Sequence, residues 1–125
     1  VVAVIHIPKD RSKYGNEKIT LDGITFDSAL EGRRYSELKL LQKAGEISNL
    51  QVRPVFRLLD HFRDPWTGDC QKMINYIGDF LYTVGGHTVC EDTKGFQTKD
   101  FLIKWKWAKH LNRNIEFKMV SKVRK

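Results

Sequence analysis

The sequence is poor in cysteine: Cys70 and Cys90 are the only two in 125 residues. One pair is too little for a disulfide-stapled scaffold and reads as two thiols in a reducing compartment. Long apolar runs are also missing, and none approaches the ~18 residues that a membrane helix needs. Val1–Ile7 (VVAVIHI) lacks the basic leader and cleavage site of a secretory signal, so the sequence points to a cytosolic protein with no membrane partner. His61, His87, His110 and the two cysteines do not fall at zinc-ligand spacings. There is no P-loop and no G-x-S-x-G nucleophile elbow. His6 lies in a predicted strand and reads as structural. Disorder is excluded as well, since 41% of the residues are hydrophobic and 11% aromatic. The length suits a single domain at roughly 100–200 residues each, large enough for a core of its own.

Acidic residues are scarce at one end. Val1–Thr93 has 12 basic and 13 acidic residues, whereas Lys94–Lys125 has 10 basic and 2 acidic, so the net charge of +7 resides in the C-terminal part. A one-sided basic field attracts polyanions, of which nucleic acid is the commonest. A solvated lysine face gives the same composition, so charge alone does not decide.

The patterning predicts α/β structure. Val1–Ile7 reads as a short strand. Lys18–Phe26 has Asp22-Gly23 between two β-rich runs, a strong hairpin signal. Asp27 or Ser28 caps a helix running to about Ala44, with Glu31 at capping-box spacing and Gly45 as the stop. Leu30, Leu38 and Leu41 share one face of it, beside Tyr35. Gln51–Leu59 reads as a strand interrupted by Pro54, His61–Lys72 as a loop, and Met73–Tyr82 as a strand with Asp79 inside it. Gly85-Gly86 turns into a strand over Thr88–Thr93. Thr98 caps a second helix over Lys99–Leu111, with Phe101, Leu102, Trp105 and Ala108 facing the sheet. A last strand follows over Ile115–Val120. The order is α-β-β-β-α-β behind a short N-terminal β extension.

The chemistry lies in acids placed within strands. A carboxylate in an apolar strand is costly to bury unless it is paired or bound to a cation. The Gly85-Gly86 hairpin brings Asp79 and Asp92 onto neighbouring strands, and a hard divalent cation such as Mg²⁺ relieves their repulsion. Alternation puts Lys94 on the same face as Asp92, and Glu91 on the other. An ammonium there stabilises charge on a phosphate, which suits metal-assisted phosphodiester hydrolysis. A same-face salt bridge on a solvated strand is the bland reading of Asp92 and Lys94.

The segment IGDF (Ile77–Phe80), then EDTKG (Glu91–Gly95), resembles the D…(D/E)-x-K signature of the PD-(D/E)XK nuclease superfamily. FDSALEGRRYSELKLLQKAGEI (Phe26–Ile47) and the basic helix extend the resemblance over about Lys18 to Val120, and it is closest to small phage endonucleases of the junction-resolving endonuclease I type. The resemblance implies a restriction-endonuclease-like αβββαβ core over about residues 26–120, a mixed sheet flanked by helices, with residues 1–25 as the N-terminal extension of one nuclease domain. It implies a Mg²⁺-dependent DNA endonuclease, with Mn²⁺ as a possible substitute, in the host cytoplasm if phage-encoded, leaving a 5′-phosphate. Asp79 and Asp92 become metal ligands with the Thr93 carbonyl, and Lys94 the catalytic lysine. Gly78 stands where the motif has proline. Helix geometry leaves Glu31 and Glu37 both open as a further acid; the resemblance favours Glu31. Arg34, on the same face, pairs with these acids or meets a phosphate. Lys99, Lys104, Lys106 and Lys109 are the candidate DNA contacts, with Trp107 beside them suiting either DNA contact or a dimer interface. Branched DNA such as a Holliday junction is the implied substrate, and its two-fold character calls for a homodimer. A nicking or nonspecific DNase, an RNA nuclease, and a non-catalytic DNA-binding module are the rivals.

Overall fold

The computed structural model describes residues 17–120. The strand expected at Val1–Ile7, His6 included, lies outside them. Strands β1 (Ile19–Leu21) and β2 (Ile24–Phe26) form the expected hairpin. Asp22 and Gly23 both adopt positive φ, 52° and 77°, which a tight two-residue turn requires. Ser28 then caps α1 (Ala29–Lys43), its Oγ accepting from the Glu31 N–H at 3.2 Å. Gly45, at φ 84°, ends the helix, and the N–H groups of Gly45 and Glu46 close on the carbonyls of Gln42 and Leu41.

Helix α1 buries Gly32, Tyr35 and Leu38. A Cβ on Gly32 would stand 2.8 Å from Ile19 Cγ2, so the helix sits directly on β1. Leu41, expected on this face, is exposed. Gln42 turns inward instead, its Oε1 accepting from the Leu50 N–H at 2.9 Å.

The run Gln51–Leu59 is not one strand. It divides into β3 (Ser48–Val52) and β4 (Val55–Leu59), because Arg53 adopts φ 59° and Pro54 has no N–H to donate. The expected loop at His61–Lys72 includes a short ladder, β5 (Phe62–Arg63) with β6 (Cys70–Gln71). The run Met73–Tyr82 also breaks, into β7 (Ile74–Ile77) and β8 (Phe80–Val84). Asp79 therefore lies at a break and not mid-strand. The two breaks face each other: the Arg53 N–H donates to the Asp79 carbonyl and the Gly78 N–H to the Pro54 carbonyl, each at 2.9 Å. The β4–β7 ribbon thus continues the β3–β8 ladder past a kink.

Gly85 and Gly86, at φ 56° and 90°, turn β8 into β9 (His87–Thr93). Thr98 caps α2 (Lys99–Leu111), its side chain accepting from the Phe101 N–H. Helix α2 is the crossover to β10 (Ile115–Val120), which pairs in parallel with β9. The main sheet has the order β10-β9-β8-β3 and is mixed. The chain is an α/β fold in the expected αβββαβ order.

The alternating side chains of β9 feed two cores. One holds Phe26, Tyr35, Leu38, Phe80, Tyr82 and Val89 beneath α1, and the other holds Leu58, Tyr76, Cys90, Trp105 and Ala108 beneath α2. The packed stripe of α2 is Phe101, Lys104, Trp105 and Ala108, so Leu102 is exposed, contrary to expectation. Trp107 is half-buried against the second core and is no free stacking surface. Among the described residues, no helix is long and apolar enough to cross a membrane.

Candidate functional site

The kink, the C-terminal end of β9 and the first turn of α1 meet in one place. Gly78 allows this. A Cβ there would come within 2.8 Å of Cys90 Sγ, and a proline would lose the N–H bond to Pro54, so glycine fits where the motif has proline. The Asp79 N–H donates to the Glu91 carbonyl at 3.0 Å, which ties the kink to β9. The Asp79 carboxylate accepts from the Thr93 N–H at 2.6 Å and the Thr93 hydroxyl at 2.7 Å, both on Oδ2. Among the described residues no hydrogen bond reaches Asp79 Oδ1.

Asp92 is fully buried on the α2 side. Its Oδ2 accepts from the Tyr76 hydroxyl. Its Oδ1 has the Lys94 ammonium 3.0 Å away but no aligned hydrogen-bond partner, which leaves a buried carboxylate oxygen incompletely satisfied. Lys94 Nζ also lies 4.7 Å from the centre of the Phe101 ring.

Electrostatics joins Glu31 to this group. Burial, then the neighbouring Asp79 and Asp27 charges, push the Glu31 carboxyl up to about 8, against the pull of Arg53 and Lys94. Burial, then Asp92, push Asp79 up to about 6, although the Thr93 bonds and Lys94 act the other way. Groups that repel one another in this way hold a deficit of positive charge. Burial and then the Asp92 charge drive the Tyr76 phenol far above its usual range, so it stays a donor.

The predicted residues Glu31, Asp79, Asp92, Thr93 and Lys94 are therefore brought together. Glu37, the alternative helical acid, is half-exposed and pairs with Arg34 at 2.8 Å. Arg34 itself is no free phosphate contact. Its Nε and Nη2 donate to the two carboxylate oxygens of Glu91 at 2.8 and 2.7 Å. Glu91 is fully buried and also accepts from the Tyr82 hydroxyl. Burial pushes Glu91 up, but the Arg34 and Tyr82 hydrogen bonds outweigh it and hold the carboxyl below its ordinary value. Glu91 thus belongs to a structural pair on the α1 side of the sheet, as alternation expects. Lys99, Lys106 and Lys109 are exposed along α2, while Lys104 is half-buried, 3.6 Å from Asp100. Lys106 and Lys109, with His110, Arg113, Ile115 and Phe117, line a shallow basic groove of about 390 Å³.

Two contributors are not foreseen from the sequence. Tyr76 meets Asp92 only because the chain kinks at Gly78, which alternation does not anticipate. Arg53, in its left-handed conformation, reaches the Thr25 carbonyl and lies 5.5 Å over the Phe26 ring, close enough to Glu31 to favour its charged form. Pro54 beside it is the one signal that could have pointed there.

Among the described residues no three His, Cys, Asp or Glu side chains form a ready-made cation cage. The donor set nevertheless fits a hard cation of the Mg²⁺ kind, which is commonly bound through one or two carboxylates and keeps several waters. Asp79 Oδ1 and Asp92 Oδ1 are the two oxygens left for that role. No curated protein matches the chain. Residues 11–125 match the family described as a protein of unknown function, DUF1064, and the chain belongs to that family.

Proposed function

We propose that the protein is a divalent-metal-dependent DNA endonuclease on a PD-(D/E)XK-like core, acting as a homodimer on branched DNA such as a Holliday junction. The observation that supports this reading is the convergence of Glu31, Asp79 and Asp92 with one lysine at the end of β9. Glu31 and Asp79, raised by burial and by neighbouring carboxylates, destabilise the fold, and such acids persist where an ion offsets them.

Asp79 and Asp92 would hold Mg²⁺ or Mn²⁺ with the Thr93 carbonyl, and Glu31 lies beside them. When bound, such an ion supplies the Lewis acidity that phosphodiester hydrolysis requires. Thr93 orients Asp79 through two hydrogen bonds. Tyr76 orients Asp92 through the hydrogen bond from its hydroxyl. The Lys94 ammonium, held between Asp92 and the Phe101 ring, stabilises charge gathering on the phosphate. Lys99, Lys106 and Lys109 meet neighbouring phosphates.

The test compares wild-type protein with Asp79→Asn on a four-way junction and a linear duplex, with Mg²⁺ and with a chelator. Wild type should cut the junction only with Mg²⁺, and the variant should bind without cutting. Cleavage that survives Asp79→Asn removes the site, and equal cutting of both substrates removes the junction preference.

A further inference from the structure

Three residues other than glycine adopt positive φ among the described residues: Asp22, Asn49 and Arg53. Aspartate and asparagine tolerate the left-handed region, because their short polar side chains bond locally. Arginine has no such compensation. At φ 59°, Arg53 holds a backbone conformation that glycine or asparagine would take at lower cost. Strain of this kind gathers at functional sites, where the side chain is what matters.

The side chain is also short of partners. Two arginines are half-buried among the described residues, Arg34 and Arg53. Arg34 is paired with Glu91 and Glu37. Among the described residues no carboxylate pairs with Arg53 in this way. Its Nη2 donates to the Thr25 carbonyl, and its guanidinium carbon lies 5.5 Å over the Phe26 ring. A guanidinium has five N–H donors, and the others make no hydrogen bond among the described residues. A charge drawn partly out of water without a bonded counter-ion is costly. The ring and the carbonyl hold the guanidinium plane and use one corner of it. That leaves a pre-organised fork with donors for an oxyanion.

The place is the candidate site. The Arg53 N–H donates to the Asp79 carbonyl at 2.9 Å, so the kink that positions Asp79 positions Arg53 as well. The Glu31 carboxyl feels both Arg53 and Lys94, and no hydrogen bond joins it to either. Two cations thus act on one acid from different elements, Arg53 from the β3–β4 kink and Lys94 from the end of β9. A metal ion on Asp79 and Asp92 would satisfy acids and leave an arginine unsatisfied. The group that satisfies the arginine is an anion, and a substrate phosphate brings one to this place.

We infer that Arg53 binds a phosphate group of the nucleic-acid substrate through its guanidinium fork, on the β2 side of the acids. The substrate class rests on the nuclease reading, but the contact itself requires no cleavage.

Fluorescence anisotropy with a labelled linear duplex and a labelled four-way junction, in a chelator and across a salt series, tests it beside melting curves. Arg53→Gly and Arg53→Asn both suit the left-handed backbone. Each should lose about tenfold or more in affinity, as loss of a charged hydrogen bond does. Each should also make the slope of log affinity against log salt shallower by about 0.9, the loss of one neutralised phosphate. Arg53→Lys should keep the slope, because the charge remains, and regain only part of the affinity, because a point charge replaces a fork. Lys43→Ala, at the opposite end of α1 from Glu31, should change neither quantity. An unchanged slope in Arg53→Gly and Arg53→Asn overturns the inference. With a lowered melting temperature, that result assigns the arginine to pinning Thr25 and Phe26. An equal change of slope in Lys43→Ala also overturns it, since the overall field is then responsible. A wild type that binds in chelator but never cuts with Mg²⁺ refutes the nuclease reading alone. A wild type that cuts, with a salt slope indifferent to position 53, refutes this inference alone.

Discussion

Glu31 and Asp79 are carboxylates that folding makes harder to ionise, one up to about 8 and the other up to about 6, from ordinary values of 4.5 and 3.8. Between those ordinary values and the raised ones, the folded chain binds more protons than the unfolded chain, so rising pH drains stability. In a chelator, unfolding free energy should therefore fall as pH rises from about 4 to about 8. Asp79→Asn should flatten that slope and raise the melting temperature at pH near 8 by a few degrees, about 1 kcal/mol. Mg²⁺ should raise the melting temperature of wild type by mass action and that of Asp79→Asn much less. A variant no more stable than wild type at high pH would show that the acids do not repel. Glu91 has the opposite sign: its lowered carboxyl stabilises the fold at neutral pH, and that stability is lost as pH falls through its folded value. Arg34→Ala leaves that buried charge unpaired and should cost about 3–5 kcal/mol in denaturant unfolding.

At the scale of elements, the β3–β4 and β7–β8 kink decides where the site forms. Gly78→Ala forces a methyl against Cys90 Sγ, 2.8 Å from the ideal Cβ position. It should destabilise the fold by about 1–3 kcal/mol and lower cleavage further by shifting Asp79, measured as a melting curve beside a cleavage rate. Unchanged cleavage in Gly78→Ala would mean the kink does not set the geometry. The kink also marks the limit of what the sequence makes legible. Helix caps, the Asp22-Gly23 and Gly85-Gly86 turns, and the α2 crossover rest on local chemistry, and Ser28, Gly45 and Thr98 declare them. Asp79, Asp92 and Lys94 are legible because strand alternation and one hairpin relate them. The kink is not, because it depends on Arg53 and Asp79 bonding across 26 positions of chain. Trp107 and Leu102 misled for a related reason: a helical wheel gives angles, while the width of the packed stripe is set by the ribbon that meets it.

Over the whole molecule, charge is segregated. The site lies at the C-terminal end of β9, where α2 begins shortly after Lys94. Helix α2 spans about 20 Å at ~1.5 Å per residue. The groove of Lys106, Lys109, His110 and Arg113 is at its far end, remote from the candidate site. At ~3.4 Å of helix axis per nucleotide along one strand, a bound duplex would place several phosphates between the two. Those lysines should govern affinity and leave chemistry alone. Lys106→Ala with Lys109→Ala should make the slope of log affinity against log salt shallower by about 2, near 0.9 for each phosphate that is no longer neutralised. Single-turnover cleavage at saturating protein should stay as in wild type. A double variant with an unchanged salt slope would assign the groove to solvent and the helix cations to the macrodipole of α2, where Lys109 and His110 already stand in the last turn.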